Sequence, residues 1–254
     1  MRSKQKLLVG LAAMTLFDIA AASAAPPAPA ASWAGFYLGA HAGYRWADGT
    51  FTSPAYTADL GAGPIAFPAR NESYGLGGGI FGVHGGYNHL LDGSWLVGIE
   101  GDITHGRGSS SRSAAFNVFV PNNDGFAFFQ GTSSLKLTWQ ATIRGRLGYI
   151  SGPWLLYGTG GVAFIHAKWS DSSSIDLPGG TVSAAWSANK TLTGGVVGVG
   201  VEYMFDPRWI GRIEYLYENF GSFNVPHGFG PQIGRVEIGD VQKLRVGISY
   251  KFGR

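Results

Sequence analysis

The chain has 254 residues and no cysteine. That excludes a disulfide scaffold and any thiolate-held metal. Charged residues are also scarce, at 14% of the chain, well under the roughly one quarter usual for a soluble domain. Long apolar runs are missing too. Beyond the N-terminal leader, no segment reaches the ~18 residues that mark a membrane-crossing helix. Glycine is abundant (41), as are aromatics (8 Trp, 11 Tyr and 16 Phe). Glycine costs about 1 kcal/mol in a helix interior, so this composition suits strands and turns.

The first residues form a basic stretch "MRSKQK", an apolar stretch "LLVGLAAMTLF" and a small-residue stretch "AAASAA". This pattern predicts a secretory signal peptide over residues 1–24, cut after Ala24 at the site Ala22-Ser23-Ala24. A retained anchor is disfavoured, because the apolar run is short of the ~20 residues needed to span and Asp18 interrupts it. "APPAPAAS" (25–32) reads as an extended linker, leaving 33–254 as one domain. The leader carries a net +2 of the chain's +3, so the mature chain stands near neutrality. Nothing in that charge points to a nucleic-acid partner.

Period-2 alternation recurs along the mature chain and predicts eight strands, near 36–46, 75–88, 95–106, 135–150, 154–169, 190–204, 208–220 and 240–252. In "LKLTWQATIRGRLGYI" (135–150), Leu135, Leu137, Trp139, Ala141, Ile143, Leu147 and Tyr149 share one side. Lys136, Thr138, Gln140, Thr142, Arg144 and Arg146 take the other. The stretch 154–169 is apolar on both sides, and its faces cannot be assigned. The turns "HLLDGS", "SGP" and "DP" alternate with long connections, as in an up-and-down antiparallel barrel with all its long loops at one end. The predicted strands exceed the usual 5–6 residues and match the ~9–11 that a tilted barrel strand needs to cross a bilayer.

Two closed barrels fit this pattern, with opposite polarity. A soluble cup puts apolar residues inside, whereas a membrane barrel puts them outside. The charged faces gather Glu100, Asp102, Arg144, Arg146, Glu202, Arg212, Glu214, Glu218, Lys243 and Arg245. The opposite faces carry Trp46, Trp95, Tyr149, Tyr203, Tyr250 and Phe252 near strand ends, as interfacial girdles do. The sequence therefore predicts an all-β, eight-stranded transmembrane barrel of the small OmpA/OmpX type. Its lumen is filled by a balanced network of those ten charges.

Several segments carry a resemblance: "WAGFYLGAHAGYRW", "VGIEGDI", "ATIRGRLGY", "LLYGTGGVAF", "GVGVEYMFDPRWIGRIEYLYENFGS" and "VQKLRVGISYKF". Together they resemble the small outer-membrane β-barrel proteins of alphaproteobacteria, which include the Brucella small major outer-membrane proteins and the Bartonella haemin-binding proteins. The resemblance spans about 33–252 and fails in the long loops. It implies residence in a Gram-negative outer membrane and insertion by the barrel assembly machinery. The assembly signal would be Leu244, Val246, Ile248, Tyr250 and the terminal aromatic Phe252, although Gly253 and Arg254 depart from that ending.

The functional expectation is a structural, envelope-integrity and surface-interaction role through four long outward loops. The expected partners are outer-membrane lipid and lipopolysaccharide, with host or peptidoglycan contacts. The alternatives are a narrow porin and a haem or ligand receptor. Haem candidates, by analogy with family members, are the exposed residues His105, His166 or His227, or a loop tyrosine such as Tyr56 or Tyr74. None of the six histidines forms a metal-ligand pair, and neither a metal nor another cofactor is expected. No nucleophile–base set marks an enzyme. "GGVVGVG" (194–200) lacks the following helix of a nucleotide loop, and its glycines are expected to make room for charged side chains. "FNVFVPNNDGFAFF" (116–129) is expected to be either a lid over the barrel mouth or a contact surface.

Overall fold

A computed structural model describes residues 32–252 apart from 93, 124, 178 and 231. The expected leader and most of the linker lie outside the described residues, as do Gly253 and Arg254. Twelve strands follow in order: β1 (Gly35–Ser53), β2 (Tyr56–Asp59), β3 (Pro64–Phe67), β4 (Arg70–Gly75), β5 (Gly78–Asp92), β6 (Trp95–Val120), β7 (Gly125–Ser151), β8 (Trp154–Leu177), β9 (Gly180–Asp206), β10 (Trp209–Asn219), β11 (Ser222–His227) and β12 (Gln232–Lys251).

Eight of them close a ring of antiparallel neighbours, β1-β5-β6-β7-β8-β9-β10-β12. The ring shuts where β12 pairs with β1, from Tyr37 opposite Lys251 to Ala47 opposite Val241. Below that ladder, the Phe252 amide donates to the Phe36 carbonyl at 2.8 Å. Closure removes the unpaired edge that hydrocarbon would penalise.

Outside the ring, Leu38, Val83, Ile99, Ile103, Ile143, Leu147, Leu156, Val162, Val197, Val199, Ile213, Leu244, Val246 and Ile248 are all exposed. This is an apolar band around the whole barrel. At its short-turn end, cross-strand aromatic pairs circle the wall. Phe36 meets Tyr87 at 4.7 Å, Trp95 meets Tyr149 at 5.4 Å, Trp154 meets Tyr203 at 4.6 Å and Trp209 meets Tyr250 at 5.2 Å. Amphipathic rings concentrate at the membrane–water interface, so these pairs mark one boundary of the bilayer.

The connections expected as long loops are mostly strand. β6 and β7 stay paired up to Val120 opposite Gly125, and β8 and β9 up to Leu177 opposite Gly180. Alternation persists there but is muted, because Ser, Thr and Ala replace the large side chains that make a pattern visible.

Above the apolar band the polarity of the wall reverses. Leu135 and Leu137, expected to face lipid, are fully buried inside the barrel, while Lys136 is exposed outside. The cause is a β-bulge. Leu137 pairs with Ala167 and Gln140 with Ile165, so β7 carries one extra residue and its faces swap. β12 has a similar shift, with Val241 opposite Ala47 and Ile238 opposite Gly49. The unassigned stretch in β8 is also settled: Leu155, Tyr157, Ala163, Ile165, Ala167 and Trp169 point inward, and Leu156 and Val162 outward. The soluble-cup polarity considered from the sequence is thus that of the upper half of this barrel.

Candidate functional site

The interior is packed in layers. Trp33, Leu96, Leu155, Tyr157, Met204 and Ile210 fill the short-turn end. Above them lie all ten charged residues singled out in the sequence, each less than a tenth exposed. Arg144 holds the centre. It donates to Glu214 at 2.8 Å and to Asp102 at 3.1 Å, and also reaches Glu100. Arg212 donates to Glu100 Oε2 at 2.6 Å and to Glu202 at 2.7 Å. Arg245 bonds Glu214 at 2.6 Å and Asp102 at 3.2 Å. Lys243 bonds Glu218 at 2.6 Å. Arg146 Nη2 lies 3.0 Å from Glu202 but off its N–H axis, so that contact is ionic and not a hydrogen bond.

Sequence reasoning left several members out of this network. Tyr37 donates to Glu100 at 2.7 Å, and Tyr157 donates to Glu214 at 2.9 Å. Arg45 donates to Gln140, which donates to Glu218, both at 3.1 Å. The inward parity of Tyr37 and Arg45 was the signal available. His41 and His84 meet inside the barrel, Nδ1 to Nδ1 at 3.2 Å, and their other nitrogens reach Thr104 at 2.9 Å and Ser249 at 2.7 Å.

The glycines of 194–200 accommodate different neighbours from those expected. A side chain at Gly198 would strike Leu216, and one at Gly200 would strike the Tyr157 ring. The partners are apolar or aromatic, because the small positions sit where bulky rings and branches lean along the wall. The Arg146 guanidinium then stacks 4.1 Å from the centre of that Tyr157 ring.

Over the charged layer sits the largest apolar cluster, including Phe51, Leu76, Leu135, Leu137, Ile165, Trp169, Leu216, Val225, Val236 and Ile238. A second polar group caps it. Arg70 joins Glu72 at 2.8 Å and Asp171 at 3.0 Å, and Ser133 donates to Glu72 at 2.8 Å, as does Tyr74 at short range. Burial alone would raise the Glu72 carboxyl, but hydrogen bonds from Tyr74, Ser133 and Arg70 outweigh it and hold the group below its usual range. An outermost apolar cluster of Ile65, Phe67, Val118, Val120, Ala127, Phe129, Ile175 and Phe229 closes the top.

The haem candidates do not converge. His105 and His166 lie on the outer wall, where His105 tilts against Phe81 at 5.6 Å and His166 stacks on Trp139 at 5.7 Å. His227, expected to be exposed, is 1% exposed inside the barrel, edge-on to Phe51 and Tyr56. The strand β11 continues the inward alternation of Phe223 and Val225 through it. Tyr74 is buried against Trp169. The phenylalanines of 116–129 divide between two roles. Phe116 and Phe129 pack inward at 4.7 Å, while Phe119, Phe126 and Phe128 stay exposed at the hairpin tip. Among the assembly-signal residues, Leu244, Val246, Ile248 and Phe252 face outward.

A closed ring with an apolar outer band, an aromatic boundary and a charged, filled interior defines an integral membrane β-barrel. A family profile described as "outer membrane protein beta-barrel domain" matches residues 10–252. The chain belongs to that family and resides in the Gram-negative outer membrane. It is 33% identical to the 31 kDa outer-membrane immunogenic protein of Brucella melitensis, over 98% of this chain and 100% of that one. It is 29% identical to the 22 kDa outer membrane protein of Rhizobium leguminosarum, over 91% and 83% respectively. Among solved structures, OprG from Pseudomonas aeruginosa aligns over 88% of this chain and 99% of its own, with 13% identity and a TM-score of 0.47.

Proposed function

We propose that this protein is a closed barrel that contributes to envelope integrity and presents a surface for contact, and is not a conduit. The observation that carries this reading is the stack of interior layers. An ion-pair layer whose members are nearly inaccessible lies directly under a dense apolar cluster. Eight strands leave an interior that side chains can fill. The paired extensions β1–β4, β6–β7, β8–β9 and β11–β12 hold the outward surface above the bilayer, and the exposed Phe119, Phe126 and Phe128 give one tip an apolar contact patch. The 31 kDa Brucella relative is named an outer-membrane immunogenic protein, which supports a surface role for this chain as a whole. Host or peptidoglycan contacts and insertion by the barrel assembly machinery through β12 belong to the same reading.

The test is single-channel recording of the refolded protein in planar bilayers at high salt, with insertion checked by heat-modifiable gel mobility. A silent membrane with folded protein is the expected result. Steady, reproducible openings would overturn the closed-lumen reading in favour of a narrow porin, and Arg144 and Glu100 would then govern ion selectivity.

A further inference from the structure

The outer wall of β6, β7 and β8 carries a feature that the filled lumen does not explain. Lys136 and Lys168 are exposed and stand directly opposite each other in the β7–β8 ladder. Like charges in that position repel. Ser109 faces Lys136 from β6, and exposed Arg107 sits two residues nearer the bilayer. None of the three cations has a carboxylate within 4.0 Å among the described residues. The nearest acid along the outward side of β8 is Asp176, eight positions from Lys168 and so about 26 Å up the strand.

Immediately below this cationic row runs an interfacial one. Phe81 pairs with His105, His105 pairs with Trp139, and Trp139 stacks on His166. Above it, the outward positions are hydroxyls. Ser134 and Ser170 lie 2.8 Å apart, and Ser113 and Thr132 lie 3.0 Å apart. From the bilayer outward, one side of the wall thus presents apolar, aromatic, cationic and then hydroxyl-bearing surface. The opposite side, at β1 and β12, exposes the acids Asp48, Glu237 and Asp240 alongside one cation, Arg235.

We propose that Arg107, Lys136 and Lys168 form a binding site for the phosphates of a glycolipid in the outer leaflet. The order of the wall matches that molecule. Acyl chains lie along the apolar band, phosphates meet the cations, and sugars meet the serine and threonine stripe. A bound phosphate also relieves the repulsion between the two lysines, which no carboxylate among the described residues does. This inference rests on residence in the outer membrane and is independent of whether the lumen conducts.

The test is titration of the protein, refolded in zwitterionic detergent, with fluorescent bisphosphorylated lipid A and with its phosphate-free counterpart. The triple variant Arg107→Gln, Lys136→Gln and Lys168→Gln is compared with Arg235→Gln, which removes a cation from β12. The triple variant is expected to lose tenfold or more in affinity for the phosphorylated lipid, with Arg235→Gln unchanged. It is also expected to melt no lower than the parent in lipid-free detergent, since it sheds a repulsion. Equal binding of both lipids, or full affinity in a folded triple variant, would overturn the proposal. So would displacement of the lipid by inorganic phosphate at equal concentration, which would mean a generic anion site.

Discussion

Leu137 and Gln140 both point into the barrel, three residues apart on the same strand. In a regular strand an odd spacing puts side chains on opposite faces. The extra residue between them lets β7 be a membrane strand below and a soluble-type strand above. The wall needs that change where hydrocarbon gives way to water, because an apolar exterior is favourable only in lipid.

Deleting Trp139 removes the extra residue. Either Leu135 and Leu137 then turn to water and Lys136 turns inward, or the lower half turns Arg144 and Arg146 to lipid. A charge of that kind near the midplane costs about 2–4 kcal/mol. The deletion is expected to abolish the heat-modifiable folded band, whereas Trp139→Phe keeps it.

Glu100 accepts from Arg144, Arg212 and Tyr37. Glu100→Gln leaves buried guanidinium groups short of a counter-charge, and breaking such a pair costs about 3–5 kcal/mol. Its urea midpoint, followed by tryptophan fluorescence in micelles, is expected to fall clearly below the parent's. An unchanged midpoint would mean that water already reaches these charges.

Gly200 is the floor for the Tyr157 ring. Gly200→Val pushes that ring away from Glu214 and from the Arg146 stack, and overpacking of this kind costs about 1–3 kcal/mol. Combining it with Tyr157→Phe should cost less than the sum of the two single changes, because both disturb the same contacts. A double-mutant cycle in urea checks this.

His227 gives the cap a dependence on pH. Burial lowers its pKa from 6.5, and nearby Asp171 offsets only part of that. A histidine depressed in the folded state leaves stability unaffected above its unfolded value. Stability is lost as pH falls below about 6.5, because only the unfolded chain then takes up the proton readily. Proteolysis of the extracellular half is expected to speed up from pH 7.5 to pH 5.5, and His227→Phe should flatten that change. Glu72 works in the same direction at lower pH: its depressed pKa adds stability that disappears as the carboxylate protonates.

The sequence by itself determined the membrane-embedded half of this protein. Period-2 alternation with large apolar residues on one side and charges on the other has few physical solutions. It specified the inward side of Glu100, Arg144, Arg212 and Arg245 without any knowledge of their partners. Only the tertiary structure decided the rest. One extra residue in β7 reverses every face beyond it, and a single chain carries no mark of which residue is extra. The pairing of β6 with β7 up to Val120 rests on backbone hydrogen bonds, which serine-rich segments form without an apolar signature. Lys136 and Lys168, thirty-two positions apart in the sequence, became one cationic row only when register placed them side by side.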